Sequence, residues 1–270
     1  MSRLDAELVA RGLVRSRTVA ATLIKAGRVT VDGNPAAKPA QPVTPETPLE
    51  VLPGDGEDYV SRAGHKLAGA LSHFPEVDPA GLRCLDAGAS TGGFTDVLLR
   101  RGAARVAAVD VGHGQLVEAL RHDPRVDVHE GMNIRYMSPA DIGGPVDLTV
   151  CDLSFISLTL VMEPLARATK EGGSLLLMVK PQFEVGRERL ARTGVVSSEN
   201  ERRRAVALVA ASAVANGLAL QGLGVSELPG QDGNMEYFLL ATKVVSYPAH
   251  KIEGEGPAVE TLLAEIWPQG

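Results

Sequence analysis

Three stretches of this 270-residue chain place reactive side chains directly after apolar runs. One run leads into Asp86-Ala87-Gly88-Ala89-Ser90-Thr91-Gly92-Gly93-Phe94-Thr95. A second ends in Cys151-Asp152-Leu153-Ser154-Phe155, and a third in Val179-Lys180-Pro181-Gln182-Phe183-Glu184. Glycines after a strand let the backbone pass close beneath a ligand and turn into a helix. NAD enzymes carry such a turn too, so alone it decides little. Two details favour S-adenosylmethionine. The spacing is not G-x-G-x-x-G, and Asp86 stands before the glycines, where a carboxylate faces a ligand ammonium group directly or through water. Asp110 closes the next apolar run, either to accept hydrogen bonds from ribose hydroxyls or to cap a helix. Asn133, just past the run after that, is placed to approach an adenine.

The second and third stretches carry a carboxylate and an amine. An unpaired buried charge is expensive, so Asp152 at a strand end is not expected to be idle. A lysine closing an apolar strand, as Lys180 does, is partly desolvated, which lowers its pKa and suits it to act as a base. Glu236 opens a late strand in Gly233-Asn234-Met235-Glu236-Tyr237-Phe238, and Lys66 lies in a helix leading into the sheet. Taken singly, a lysine or glutamate of this kind is ordinarily a surface charge.

Positioning these residues needs strands whose ends meet. Strand-like runs occur at 82–86, 106–110, 126–130, 146–152 and 175–180, with helical patterns between them and two late strands at 218–226 and 236–243. Apolar strands separated by helices imply an α/β, Rossmann-like, mainly parallel sheet covered on both faces, with ligands beyond the carboxyl ends of the strands. Ser61 is expected to cap a helix in which Leu67, Ala70, Leu71 and Phe74 share a face. The apolar run at 205–220 is interrupted by Ser212, Asn216 and Gly217 and reads as a buried helix. Leu262, Leu263 and Ile266 suggest a short helix packed on the body.

The first sixty residues differ in texture. Ser2-Arg3-Leu4-Asp5 reads as a capping box opening a helix that Gly12 ends. Ser16 caps a second helix with Val19, Ala20, Leu23 and Ile24 as its apolar stripe, stopped by Gly27. Residues 28–31 alternate like a strand, and Asp32-Gly33 is a hairpin signal. Net charge is −6 overall, yet residues 1–40 carry seven basic against three acidic side chains, a balance of +4 that leaves −10 on the other 230 residues. A basic head on an acidic body points to a polyanionic partner, with Arg3, Arg11, Arg15, Arg17, Lys25 and Arg28 as contacts. The alternative is a solvated basic face. The stretch RLDAELVARGLVRSRTVAATLIKAGRVTVDG closely resembles the S4 RNA-binding domain, which implies docking on structured RNA by shape and phosphate contact. The expected organisation is a small α+β S4-like domain at 1–56, a linker at 57–60, a catalytic domain at 61–245 and a tail at 246–270.

SRAGHKL, CLDAGASTGGFT, DLSFISL, VKPQFE and GNMEYF together carry a wider resemblance. The chain resembles the TlyA family, whose catalytic domain is similar to the FtsJ/RrmJ-type ribose 2′-O-methyltransferases of the class I methyltransferase fold. The resemblance implies a Lys-Asp-Lys-Glu tetrad, falling on Lys66, Asp152, Lys180 and Glu236. It also implies an S-adenosylmethionine site involving Asp86, Gly88, Ser90, Thr91, Gly92, Gly93, Phe94, Asp110, Asn133 and Asp152, and cytidines of ribosomal RNA or ribosomal subunits as partners. A ribose 2′-hydroxyl is a very weak acid. The expected division of labour makes Lys180 the base, with Lys66 and Asp152 orienting the hydroxyl and Glu236 holding the lysines. A basic patch of Lys66, Lys180 and Arg187 is expected to guide the target nucleotide. One departure stands out: where family members carry a linker of the form Arg-x-Trp-Val, this chain has Glu57-Asp58-Tyr59-Val60.

Other classes fit less well. A dehydrogenase lacks a hydride-transfer acid beside the site. A methyltransferase of protein or small molecules leaves the basic head and the tetrad unexplained. Family members also carry a haemolysin label, but the sequence has neither a run of the roughly 18 apolar residues a span requires nor a basic amphipathic membrane helix. No signal peptide is read, and Cys84 and Cys151, both in apolar runs, are expected to be buried thiols of a cytoplasmic protein. The six histidines show no metal-ligand spacing, so no metal is expected.

Overall fold

The computed structural model describes residues 1–14, 16–52, 59–186, 190, 193–230, 232–244 and 255–268. Arg15, Glu57, Asp58 and Arg187 therefore lie outside the described residues. The chain divides into two compact units, Met1–Asp58 and Tyr59–Gly270.

The N-terminal unit runs β1 (Ser2–Arg3), α1 (Leu4–Ala10), α2 (Arg17–Lys25), β2 (Val29–Val31), β3 (Asn34–Pro35), β4 (Pro42–Val43) and β5 (Leu49–Val51). Leu4 and Leu8 of α1 pack with Ala20 and Ile24 of α2 and with Val29 and Val31, which gives this small unit a core of its own. Ser16 caps α2 by accepting from the Val19 amide. Asp32 and Gly33 both take positive φ, 52° and 76°, as a two-residue turn matched to strand twist requires. The capping box expected at Ser2 does not form. Ser2 instead pairs in β1 with Val43, and its hydroxyl donates to Glu7, so Arg3 occupies the N-cap position without a side-chain cap. Strand pairing satisfies the backbone that a cap would have served.

The C-terminal unit runs α3 (Arg62–His73), β6 (Arg83–Ala87), α4 (Gly93–Arg100), β7 (Arg105–Asp110), α5 (Glu118–Arg121), β8 (Val126–Glu130), β9 (Val146–Cys151), α6 (Met162–Ala168), β10 (Thr169–Val179), α7 (Pro181–Glu184), α8 (Glu199–Ala215), β11 (Leu218–Val225), β12 (Tyr237–Lys243) and α9 (Glu255–Leu263). Among the described residues, seven strands pair in the order β11-β12-β10-β9-β6-β7-β8. The strands β6 to β10 are parallel and β12 runs antiparallel to both β10 and β11. Leu67, Leu71, Phe94, Val97 and Leu98 cover one face, while Leu165, Val206, Val209, Leu262 and Leu263 cover the other. Each such side chain, fully buried, contributes roughly 1.5–3 kcal/mol.

Two details go beyond the sequence pattern. The strand expected at 175–180 begins at Thr169, because exposed Lys170, Glu171 and Gly172 interrupt the apolar run while its register shifts between Thr169 and Ser174. In the tail, α9 seats Leu262 and Leu263 in the core, and Trp267 lies 5.3 Å from the Tyr237 ring. Cys84 and Cys151 are free, buried thiols; burial pushes Cys84 up to about 12 and raises Cys151 as well.

Strand order fixes where a ligand fits. The chain leaves β6 for β7 and β8 on one side and returns to β9 on the other, so the crevice opens beyond the carboxyl ends of β6 and β9. There the Asp152 amide donates to the Ala87 carbonyl, and Gly88 and Asp152 face each other.

Candidate active site

The turn after β6 is built by close backbone approach. Gly88 has φ +93°, and a Cβ there would lie 2.6 Å from the Asp152 carbonyl oxygen. A Cβ on Gly93 would lie 2.1 Å from Ser61 Oγ and 2.9 Å from the Gly64 nitrogen, so the N-terminal ends of α3 and α4 meet with almost no side chain between them. Gly92 turns the other way, toward Leu116 and Leu120. Ser90 holds φ 46°, a conformation that side chains rarely adopt, and its amide donates to Asp110 Oδ2 at 2.8 Å. The Gly112 amide donates to Asp110 Oδ1 at 2.7 Å. Asp110 thus braces the turn with both oxygens, and each retains a second lone pair.

Beyond this turn lies a cavity of about 430 Å³, walled by Gly88, Ser90, Asp110, Asn133 and Asp152 together with apolar Val111, Met132, Ile134 and Ile156. Asn133 caps the next turn by accepting from the Arg135 amide. A smaller cavity of about 160 Å³ shares Gly88, Ser90, Asp152 and Ser154 and is closed by Ser61, Thr91, Gly93, Phe94 and Lys180. Ser61 Oγ is buried without a hydrogen-bond partner. Asp86 is fully buried behind these walls and lines neither cavity. Thr95 donates to its Oδ2 at 2.7 Å, Oδ1 has no partner, and burial pushes the carboxyl up to about 7.

The four tetrad positions form two ion pairs. Lys66 Nζ lies 2.5 Å from Glu236 Oε2, with side chains 9% and 2% exposed. Lys180 Nζ lies 2.6 Å from Asp152 Oδ1 and donates to Ser154 Oγ at 3.0 Å. Lys180 and Asp152 stand on a cavity wall, whereas Lys66 and Glu236 line neither cavity. Gly230 makes room for Glu236, since a Cβ there would lie 2.7 Å from Oε1. Buried Asn234 ties the same loop to Gly194 and Val196.

Sequence reasoning missed the fastening of the loop after β9. The Glu184 carboxylate accepts from Ser157 Oγ and from the Leu158 amide at 2.8 Å, and burial raises its pKa. Phe155 projects from that loop, 92% exposed, at φ 65°, with its ring 5.3 Å from Phe183. Glu184 closes a quoted motif, but its spacing from Ser157 gives no local signal.

The basic residues of the N-terminal unit divide. Arg11 donates to Glu7 and to the Thr44 and Thr47 carbonyls, and Arg28 donates to the Leu52 carbonyl through two nitrogens. Arg3 and Arg17 converge on Asp5, with side chains 52% and 59% exposed. Lys25 is exposed. In the linker, the Tyr59 ring meets His65 and the Arg100 guanidinium, each at 5.1 Å, and the Val60 amide donates to Asp96.

Residues 59–243 match the FtsJ-like methyltransferase family model and residues 2–48 the S4 domain. A relative in Mycobacterium tuberculosis, the 16S/23S rRNA (cytidine-2′-O)-methyltransferase TlyA, is 50% identical over 95% of this chain and 98% of its own length. The chain belongs to the TlyA family. Another member, the 23S rRNA (cytidine-2′-O)-methyltransferase TlyA of Campylobacter jejuni, is 33% identical over 74% of this chain and 79% of its own. A solved structure described as a hemolysin, from Streptococcus thermophilus, superposes with a TM-score of 0.73 at 37% identity, covering 97% of this chain and 94% of that one. Both names thus occur among proteins similar to this TlyA-family chain. Among the described residues no helix is long and apolar enough to cross a membrane, and no group of three His, Cys, Asp or Glu side chains is placed to hold a metal.

Proposed function

We propose that the chain transfers a methyl group from S-adenosylmethionine to the ribose 2′-hydroxyl of a cytidine in ribosomal RNA, of the small subunit, the large subunit or both. The observation that carries this reading is the Lys180–Asp152 pair on the wall of a cavity floored by the Gly88 turn. The named relatives supply the nucleotide and the RNA. Residues 1–56 serve as the RNA-gripping domain, 57–60 as the joint and 61–245 as the catalytic domain.

The residues present fit the cofactor. Asp110 has lone pairs left for ribose hydroxyls, and Asn133 and the apolar wall of the larger cavity suit an adenosine. The smaller cavity, with the orphaned Ser61 hydroxyl and the N-terminal ends of α3 and α4, suits an amino-acid carboxylate. The partnerless Asp86 Oδ1 suits the ammonium group through water. When bound, the cofactor supplies an electrophilic methyl group.

Lys180 takes the hydroxyl proton, and Asp152 holds the Lys180 amine against the wall. Glu236 fixes Lys66, which lines neither cavity here and would help orient the hydroxyl once the nucleotide reaches it. Holding the hydroxyl in line supplies much of the rate. Exposed Phe155 offers a face on which the base of an unstacked nucleotide rests.

The test is methylation of ribosomal RNA with labelled cofactor. The product is expected to resist alkaline cleavage at one cytidine, and Lys180→Met is expected to lose activity while folding. A label on a base would overturn the reading.

A further inference from the structure

Lys180 Nζ has three positions besides its bond to Cε, arranged tetrahedrally. Ser154 Oγ accepts along one of them at 3.0 Å, while Asp152 Oδ1, 2.6 Å from Nζ, meets the amine as a charge contact outside hydrogen-bond geometry. Once one N–H is aimed at Ser154 the other two directions are set as well, and in the neutral amine the lone pair takes the one turned from the Asp152 carboxylate. A lysine side chain is a flexible four-carbon stem, and a charge contact alone leaves its amine free to rotate. The directional bond to Ser154 settles where the lone pair points.

Ser154 is fixed by its loop. The next residue, Phe155, holds a positive φ of 65°, and such a conformation persists only where the surroundings over-determine it. The Phe183 ring lies against Phe155, and Glu184 anchors Ser157 and Leu158 just beyond. Ser154 itself is exposed and lines both cavities, so its hydroxyl stands where an incoming ribose would pass.

We infer that Ser154 is a positioning residue for methyl transfer, whose hydroxyl, 3.0 Å from Lys180 Nζ, aims the Lys180 lone pair at the ribose hydroxyl. The inference rests on the reading of Lys180 as the base. In the step it serves, the ribose oxygen bonds to the methyl carbon and the carbon–sulfur bond breaks with its electron pair remaining on sulfur. Lys180 enters the step as the neutral amine, its ion-pair proton having gone to solvent, and the hydroxyl proton passes to Nζ.

The experiment compares the full-length parent with Ser154→Ala, Ser154→Thr, Lys180→Met and the Ser154→Ala/Lys180→Met double variant. It measures kcat and KM on ribosomal RNA and affinity for S-adenosylhomocysteine. Ser154 is exposed, so Ala there leaves the fold intact, which a thermal melt checks. Ser154→Ala is expected to lower kcat roughly tenfold, about the worth of one hydrogen bond, with KM and cofactor affinity unchanged. Ser154→Thr is expected to restore kcat, and the double variant to be no slower than Lys180→Met. Parental kcat in Ser154→Ala, or a loss confined to cofactor affinity, overturns the inference while leaving Lys180 in place if Lys180→Met is dead. An active Lys180→Met overturns the underlying reading and the inference together.

Discussion

The basic residues of the N-terminal unit and the tetrad of the C-terminal unit hold their charges in opposite ways. In the N-terminal unit, Arg11 and Arg28 reach backbone carbonyls, and Arg3 and Arg17 share Asp5 while remaining more than half exposed. In the C-terminal unit, four charges close into two pairs whose side chains are 2–14% exposed. An exposed ion pair is worth about 0–1 kcal/mol, because water screens it and the side chains lose freedom. Removing one partner of a buried pair costs about 3–5 kcal/mol, because the other charge is stranded. Removing one partner should therefore read out as catalysis and folding at the tetrad and as little of either at exposed Arg3 and Arg17.

The largest effect is expected at Glu236. Glu236→Ala leaves the Lys66 ammonium buried without its counter-ion. Methyl transfer should be lost and chemical unfolding should shift by about 3–5 kcal/mol, against under about 1 for Arg17→Ala. Equal unfolding midpoints for Glu236→Ala and the parent would erase the contrast.

A second comparison uses glycine. At Gly88 both a positive φ and the Asp152 carbonyl at 2.6 Å oppose a side chain, whereas Gly27 has positive φ with nothing within 4 Å. Gly88→Val is expected to cost about 3 kcal/mol and to abolish cofactor binding, since Asp152 must move. Gly27→Ala should cost about 1–2 kcal/mol, the backbone term alone. Calorimetry and melts check both. Glycine after a strand is expected to let the backbone pass close beneath a ligand; at Gly88 the Asp152 carbonyl is the nearer obstacle.

How much could be read beforehand follows the range of the interactions. Strand-length runs located β6 to β9 to within a residue or so: β6, β7 and β9 are buried along most of their length and read as largely apolar, while half-buried β8 showed only the alternation Val126-Asp127-Val128. The start of β10 escaped because Lys170, Glu171 and Gly172 lie at an exposed edge of the pattern. The tetrad residues were legible through motif resemblance, but their partition into pairs was not: Lys66 and Glu236 are 170 residues apart and meet only through the β12 fold-back. Glu184 on Ser157 and Leu158, and Arg11 on the Thr44 and Thr47 carbonyls, are also long-range contacts with no local spacing rule.

Two aspartates sharpen the comparison through pH. Asp86 is pushed up to about 7, mainly by burial. The folded state then keeps a proton that the unfolded chain releases, so this contribution is full below about pH 4 and is lost as pH rises to 7. Asp5 is lowered to about 2, first by its hydrogen bond from Arg3, so its contribution is present above about pH 4 and lost as pH falls toward 2. Asp86→Asn keeps an acceptor for Thr95 and should gain on the parent by about 2 kcal/mol between pH 5 and 7. Asp5→Asn should lose most at neutral pH. Melting curves across pH decide, and a constant Asp86→Asn offset would mean that the carboxyl is ionised throughout.

The smallest effect, and the one that separates roles within the head, concerns RNA. Arg17 and Lys25 are exposed, while Arg28 is held by the Leu52 carbonyl. A phosphate contact leaves a signature in salt: each one lost flattens the dependence of log affinity on log salt by about 0.9 for duplex and about 0.7 for single strands. Arg17→Gln with Lys25→Gln should therefore flatten the slope for ribosomal RNA by up to about 2, with an unchanged melting temperature. Arg28→Ala removes a brace between the start of β2 and the end of β5, so it should lower the stability of the N-terminal unit by about 1–3 kcal/mol. At temperatures where that unit stays folded, its salt slope should match the parent's. Filter binding at several salt concentrations, paired with melts, separates the two outcomes. A flattened slope in Arg28→Ala with an unchanged melt would move that guanidinium onto the RNA, and the carbonyl it meets here would then be only its resting place.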